Sequence, residues 1–221
     1  GRECADDLIA LHDRALAVPY SRDAAARGAR KIKNQALGYI AAGNNEEGAR
    51  RALDQYRAAN NMTDRQGAVL VLASLDVPER EEALADFRSR YEGNALVIDK
   101  WFSLQAGSFH PEVLANIRKL AEHPDFTMTN PNRVRALYMA AAVNPKAFHD
   151  ASGDGYRLIG DLIRRLDPIN PQTAARFVPS LGRWRRIEPV RAAMMREELE
   201  RIAAEPSLSR DVREQVSKSL G

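Results

Sequence analysis

Gln172 and Arg176 stand four residues apart in the segment Asn-Pro-Gln-x-x-x-Arg, a spacing that sets an amide and a guanidinium on one face of a helix. A guanidinium fork beside an amide is suited to holding a carboxylate or a peptide backbone. The same pair also fits an ordinary exposed helix surface. A second polar group, Asn132, Arg135 and Met139, recurs at helical spacing just after Asn130-Pro131. It brings Arg133 and Arg135 close to a helix N-terminus, where the partial positive charge of the helix end disfavours cations. An internal salt-bridge network or an anionic partner would relieve that crowding. The adjacent Trp101 and Phe102 form a third group, read as core.

Side chains for covalent or metal chemistry do not fall into pattern. His12, His110, His123 and His149 are scattered, with no His-Glu-x-x-His and no pair at the spacing that lets one helix hold a metal. Neither a phosphate-cradling Gly-rich loop nor a Gly-x-Ser-x-Gly elbow occurs. The carboxylate pairs Glu81/Glu82 and Glu197/Glu198 lie among basic neighbours and read as solvated faces. Cys4 is the single cysteine, which excludes an intrachain disulfide, and no clear base accompanies it. By its residues the chain reads as non-catalytic, with no metal or cofactor of its own.

The bulk properties bound the partners. Of 221 residues 44% are apolar, enough for a substantial core, and the net charge is only +3. Among 33 basic residues six are lysine, and no basic cluster is interleaved with aromatics, so no nucleic-acid partner is expected. No stretch approaches the apolar length of a membrane span, so no membrane insertion is expected either. The single cysteine fits a reducing compartment, and the expected location is cytoplasmic. The chain lacks an initiating Met and starts within a helical pattern, as a piece of a longer protein would.

The elements that must position these groups read as helices throughout. Helical stripes run from Glu3 to Val18, Ala24 to Ala42, Glu46 to Ala59, Asp64 to Leu75, Glu79 to Tyr91 and Ala95 to Gln105. Gly43-Asn44-Asn45 reads as a left-handed C-cap, and Thr63 with Gln66 as a capping box. After Pro111 comes a stripe of Val113, Leu114, Ile117 and Leu120, and after Asn130-Pro131 one of Val134, Leu137, Tyr138 and Ala141. Asn144-Pro145 turns the chain, Tyr156 to Leu166 is helical, and Asn170-Pro171 opens a helix to about Phe177. A short basic stretch, Arg183 to Arg186, precedes helices at Glu188 to Ala204 and Ser209 to Leu220. Strand alternation is almost absent. Helix pairs recur roughly every 32 to 43 residues, the range of two-helix solenoid units. The expected fold is therefore all-α, an alpha-alpha superhelix of ARM/HEAT-like antiparallel helix pairs, with residues 1–221 as one helical domain.

The run Phe126-Thr127-Met128-Thr129-Asn130-Pro131-Asn132-Arg133-Val134-Arg135, with Asp99 through Gln105 before it and Asn144 through His149 after it, resembles a known family. Together with Met62-Thr63-Asp64-Arg65, Ser152-Gly153-Asp154-Gly155-Tyr156 and Asp167 through Pro171, it is similar to the carboxy-terminal helical domain of bacterial aminopeptidase N, a zinc gluzincin metallopeptidase. The resemblance covers essentially the whole chain. It implies a domain that closes over a thermolysin-like catalytic domain of the same polypeptide, restricts access to the inner chamber and meets short peptide substrates. Zinc and its ligands belong, by that resemblance, to the catalytic domain of the parent and not to this piece. By motif, Arg135, Gln172 and Arg176 face the substrate, while Asn132 and Arg133 support the helix start. The contrasting expectation is an independent helical-repeat module that binds an acidic protein through its arginines.

Overall fold

Asparagine divides this chain into helices. The side chains of Asn44, Asn61, Asn130, Asn144 and Asn170 each accept a hydrogen bond from a backbone N–H of the helix that follows, at 3.0–3.2 Å. Each satisfies donors that the first turn of a helix cannot pair internally. At Asn130, Asn144 and Asn170 the next residue is proline, which starts the helix with its angle preset. The computed structural model describes residues 4–221, and no strand occurs among them. No helix among the described residues is long and apolar enough to cross a membrane.

The chain divides into two compact units, the first extending to Leu104 with residues 108–111, the second holding residues 105–107 and 112–221. In the first unit, α1 (Ala5–Leu16), α2 (Ala24–Gly43), α3 (Asn45–Ala58), α4 (Met62–Ala73) and α5 (Pro78–Arg90) each pack on their sequence neighbours. That order is the one a helical solenoid requires. Glu3, the expected first residue of α1, lies outside the described residues. Leu37, Val69, Leu72, Phe87 and Phe102 are fully buried. Trp101 in α6 (Ala95–Ala106) is buried edge-on to Phe102 at 5.1 Å, its indole N–H donating to the Leu84 carbonyl at 2.9 Å. Most of the apolar side chains of α6 turn inward, but Leu96 is 72% exposed.

Two helix boundaries differ from expectation, both because an asparagine side chain outcompetes the alternative. Gly43 stays within α2, and Asn44 is extended at φ −149°, ending α2 while capping α3. No left-handed C-cap forms there. Helix α4 starts at Met62 because Asn61 is its cap, and Asn61 Nδ2 also donates to Asp64 Oδ2 at 2.8 Å. This reciprocal Asn61–Asp64 pair stands in place of the Thr63–Gln66 capping box.

In the second unit, α7 (Val113–Ala121) precedes a helix in three parts: α8 (Pro131–Val134), a π-helical turn (Arg135–Met139) and α9 (Ala140–Val143). The stripe Val134, Leu137, Tyr138 and Ala141 is buried as its spacing requires. After α10 (Pro145–Phe148), Gly153 takes φ +77°, a left-handed conformation natural to glycine, and α11 (Asp154–Leu166) begins. A Cβ on Gly155 would collide with the carbonyl oxygens of Ala147 and Phe148, so this glycine allows α11 to lie against α10. Helix α12 (Pro171–Ala175) ends before Phe177, and α13 (Val178–Leu181) restarts with Pro179 in its first turn. A 3₁₀ turn (Trp184–Arg186) leads to α14 (Pro189–Ala203) and α15 (Arg210–Leu220). Helix α11 packs on α14, and α15 packs on α12, α13 and α14.

Candidate functional site

The Asn170 cap fixes the start of α12 and with it the two faces of that short helix. Thr173 and Ala174 are buried, as is Phe177 just beyond, so Gln172 and Arg176 face outward together. Both line a pocket of about 470 Å³ with Pro179, Asp211, Glu214 and Gln215. Its acidic wall is partly engaged: Glu214 accepts from Lys218 Nζ at 2.7 Å, which holds its carboxyl below the usual range.

Arg176 also lines a second pocket, of about 500 Å³, whose character is different. Its walls are Met139, Ala142, Val143, Pro145, Phe148, Ile187 and Met195, and its charged side chains are Arg176, Arg183 and Arg186. No carboxylate lines it. The 3₁₀ turn explains the selection of arginines. Arg185 donates to the Ser219 carbonyl at 3.1 Å and the Leu220 carbonyl at 2.7 Å, satisfying the end of α15, and stacks 4.1 Å over the Trp184 ring. Trp184 itself donates to the Ser219 carbonyl at 3.0 Å. Arg183 and Arg186 flank this anchor and have no ion pair or side-chain hydrogen bond among the described residues.

His149 is the remaining titratable group on that wall. Its Nδ1 is 2.7 Å from the Tyr156 hydroxyl, and its carbonyl accepts from Arg191 Nε at 3.0 Å. Burial, followed by the nearby Arg191 charge, lowers the His149 pKa below its ordinary value, so the imidazole is neutral near pH 7. Burial likewise raises the Tyr156 pKa. The positive charge of the pocket therefore resides on guanidinium groups, which hold it at every physiological pH.

The other expected site residues lie elsewhere. Arg135 is exposed in the π-helical turn and lines neither pocket. Met139, expected on its face, half-buries itself in the wall of the basic pocket; a π turn widens the helix and alters the register that a uniform helix would keep. Asn132 is exposed and gives its backbone N–H to the Asn130 cap. Arg133 is buried, its guanidinium donating to the Asp125 carbonyl. Gln172 and Arg176 are thus brought together, while Arg135 is not joined to them. Arg183 and Arg186 were legible only as a basic stretch; their three-residue spacing around an anchoring tryptophan was the available signal.

No group of three or more His, Cys, Asp or Glu side chains among the described residues could hold a metal. The histidines are individually engaged: His12 approaches Gln55 at 3.4 Å, His110 lies 3.8 Å from Asp76, His123 lies 3.7 Å from Asp125, and His149 meets Tyr156. The described residues do not fit a zinc site. The residues lining the two pockets beside Arg176 include neither a paired nucleophile and base nor a metal donor set.

Comparison with known proteins agrees with the fold. Residues 1–221 match the family described as domain of unknown function DUF3458_C, ARM repeats. The chain is 43% identical over 203 residues to aminopeptidase N of Caulobacter vibrioides, covering 91% of this chain and 24% of that protein. It is 40% identical over 219 residues to aminopeptidase N of Haemophilus influenzae, covering 97% and 25% respectively. A crystal structure of Legionella pneumophila aminopeptidase A in complex with aspartic acid superposes with a TM-score of 0.90 at 30% identity, covering 99% of this chain and 27% of that one. The chain thus spans about a quarter of the length of these relatives. With the whole sequence matched, the chain belongs to the DUF3458_C family of ARM-repeat domains and is homologous to the C-terminal domain of aminopeptidases.

Proposed function

We propose that this chain is the non-catalytic C-terminal domain of a cytoplasmic zinc aminopeptidase, which covers the active-site chamber and positions short peptides for removal of their N-terminal residue. The observation that carries the reading is the outward pair Gln172 and Arg176, with Arg176 lining two pockets and making no ion pair among the described residues, Asp211 and Glu214 lying on the far wall of one of them. A guanidinium held without a partner retains its charge for a peptide carboxylate, and the neighbouring amide can hydrogen-bond a peptide group. Arg135 joins this reading by its motif and exposure, as a second cation met by incoming peptide. The zinc and the groups that activate water belong to the catalytic domain of the same polypeptide, which is also the principal partner of this domain.

The test is turnover of an alanyl p-nitroanilide with zinc present, by residues 1–221 alone and by the full-length polypeptide. Hydrolysis by the full-length protein only is the expected result. Hydrolysis by residues 1–221 alone would overturn the assignment of chemistry to another domain. A full-length sequence without a His-Glu-x-x-His helix would favour instead an adaptor for an acidic partner.

A further inference from the structure

We infer that Asp167 is a positioning residue for the peptide site: its buried carboxylate ties the corner between α11 and α12 to the cap of α15, and so fixes the span between the two helices that line the pocket of Gln172 and Arg176. This rests on the reading under Proposed function and names the residue through which that site is held in shape.

Asp167 is misplaced by the rules of its own helix. It follows Leu166 at the end of α11 with helical φ and ψ, where a carboxylate meets the partial negative charge of the helix end. It is also only 4% exposed, so water does little to relieve that cost. The other side of the corner accounts for it. Oδ2 accepts the backbone N–H of Ser209 at 2.8 Å, and Ser209 is the cap of α15, its own Oγ accepting from the Val212 N–H at 3.2 Å. The Asp167 carboxylate therefore stands at the positive end of α15, where a negative charge is favoured. Oδ1 is buried without a hydrogen-bond partner among the described residues, so the side chain serves one contact, to backbone 42 residues away.

That contact bears on the pocket from both sides. Asn170, in the same corner as Asp167, caps α12, whose outward face carries Gln172 and Arg176. Asp211, in the first turn of α15, lines the same pocket with Glu214 and Gln215. Helices α12 and α15 pack on each other, and the bond from Asp167 to Ser209 joins them where both begin. The far end of α15 is fixed separately, its Ser219 and Leu220 carbonyls accepting from Trp184 and Arg185. With its start released, α15 would pivot about that end and change the width of the pocket. Asp167 itself lines neither pocket, so it acts through the helices and not on the peptide. Displacements of about 1 Å are enough to impair a binding geometry from a distance.

The test uses the full-length polypeptide that carries this domain, with Ala-Ala-Leu and alanyl p-nitroanilide as substrates; the anilide has no peptide carboxylate for the pocket to hold. Asp167→Ala should raise KM for Ala-Ala-Leu about tenfold, the scale of one charge-assisted contact, with kcat within about twofold and KM for the anilide unchanged. Asp167→Asn keeps an acceptor for the Ser209 N–H and removes a buried charge, so KM should return to within about twofold of the wild type. Ser209→Ala is the control: it removes the Oγ cap and weakens α15 but keeps the N–H that Asp167 holds, so the thermal midpoint should fall with both KM values unchanged. If Asp167→Ala does not accumulate as folded protein, Asp167→Glu, with the same charge on a side chain one methylene longer, should show the same selective rise. An unchanged KM for Ala-Ala-Leu would overturn the inference, as would equal changes on both substrates. So would a Ser209→Ala effect as large as that of Asp167→Ala, or failure of Asp167→Asn to restore KM. If Arg176→Ala raises KM for the tripeptide and Asp167→Ala does not, the positioning role falls while the proposed function stands. If Gln172→Ala and Arg176→Ala also leave that KM unchanged, the proposed function fails and the positioning role with it.

Discussion

The polar network around Asp64 in the first unit and the arginines around the basic pocket in the second use the same side-chain types in opposite ways. Lys33 Nζ donates to Asp64 Oδ2 at 2.8 Å with both side chains buried, Gln55 bridges Asn34 at 2.7 Å and the Asp64 carbonyl at 3.0 Å, and His12 approaches Gln55. Nearby, Arg51 is shared between Asp13 at 2.5 Å and Glu47 at 2.6 Å. In this region the charged groups are matched, and Lys33 and Asp64 are withdrawn from solvent. Arg176, Arg183 and Arg186 are left without internal partners and turned into a pocket. A matched buried pair contributes to the fold's integrity, because removing one member strands the other; an unmatched cation contributes little to folding and much to the attraction of a ligand.

The strongest way to break this comparison is Asp64→Ala. Lys33 would be left buried and uncompensated, and the Asn61 cap would lose its reciprocal contact. The expected destabilisation is about 3–5 kcal/mol, measured by urea unfolding. A loss below about 1 kcal/mol would mean that the pair is not the structural element its burial suggests.

Gly155→Ala follows in size and sharpens the comparison, because it perturbs the fold beside the pocket. The added Cβ meets the carbonyls of Ala147 and Phe148, backbone atoms that cannot turn aside as a side chain would. About 1–3 kcal/mol is expected from such overpacking, and the shift of α11 should also disturb the Tyr156–His149 contact. Asn170→Ala comes next, at about 1 kcal/mol for loss of the cap on α12. Its unfolding midpoint should fall while peptide KM rises in the full-length protein, since Gln172 and Arg176 ride on that helix. A stable variant with altered KM would show that the cap positions the site more than it holds the fold.

Much of this architecture was legible because periodicity reports burial directly. The stripe Val134, Leu137, Tyr138 and Ala141 and the pair Trp101 and Phe102 are buried where spacing and composition put them. Asn-Pro marked the helix starts at Asn130 and Asn170, since both residues favour that position for independent reasons, whereas Asn144-Pro145, expected as a turn, also opens a helix, α10. Boundaries were less legible where two caps competed: Asn44 and Asn61 could close one helix or open the next, and only the hydrogen bonds of the folded chain decide. The pair Gln172 and Arg176 was visible because it lies within one helix. The basic pocket was not, because Met139, Phe148, Arg176, Arg183 and Met195 are distant in sequence and meet only through the packing of several short helices. A π-helical turn leaves no signal in a 3.6-residue period, which is why Met139 and Arg135 were expected on one face.

A smaller effect should appear on acidification. His12 and His149 both have folded-state pKa values below the ordinary 6.5, each chiefly because burial disfavours the charged ring. The unfolded chain therefore binds more protons than the folded one as pH falls through that value, and stability declines until the depressed folded values are passed. Above about pH 6.5 the contribution is fully present. Thermal midpoints taken at about pH 7.5 and 5.5 should show this decline, before the carboxylates held low by arginines begin to protonate. His149→Gln should reduce the slope, and an unchanged slope would assign the decline to His12 and its closed network instead.

The smallest expected stability effect belongs to Arg135→Ala and Arg176→Ala, and it is the one that decides what open arginines do. Both side chains are exposed and lack ion-pair partners among the described residues, so each variant should unfold within about 0.5 kcal/mol of the wild type. Arg51→Ala is the matched control: its side chain is only 14% exposed and holds two carboxylates, so its loss should cost measurably more. In the full-length enzyme the order reverses. Arg135→Ala and Arg176→Ala should raise KM for short peptides more than they lower kcat, as expected for cations that hold the peptide alike in ground and transition states. Arg51→Ala should leave the kinetics of the folded fraction near those of the wild type. If Arg135→Ala instead lowers the melting temperature and leaves the kinetics unchanged, Arg135 belongs with the closed networks of the fold, and attraction of the peptide then rests on Gln172 and Arg176.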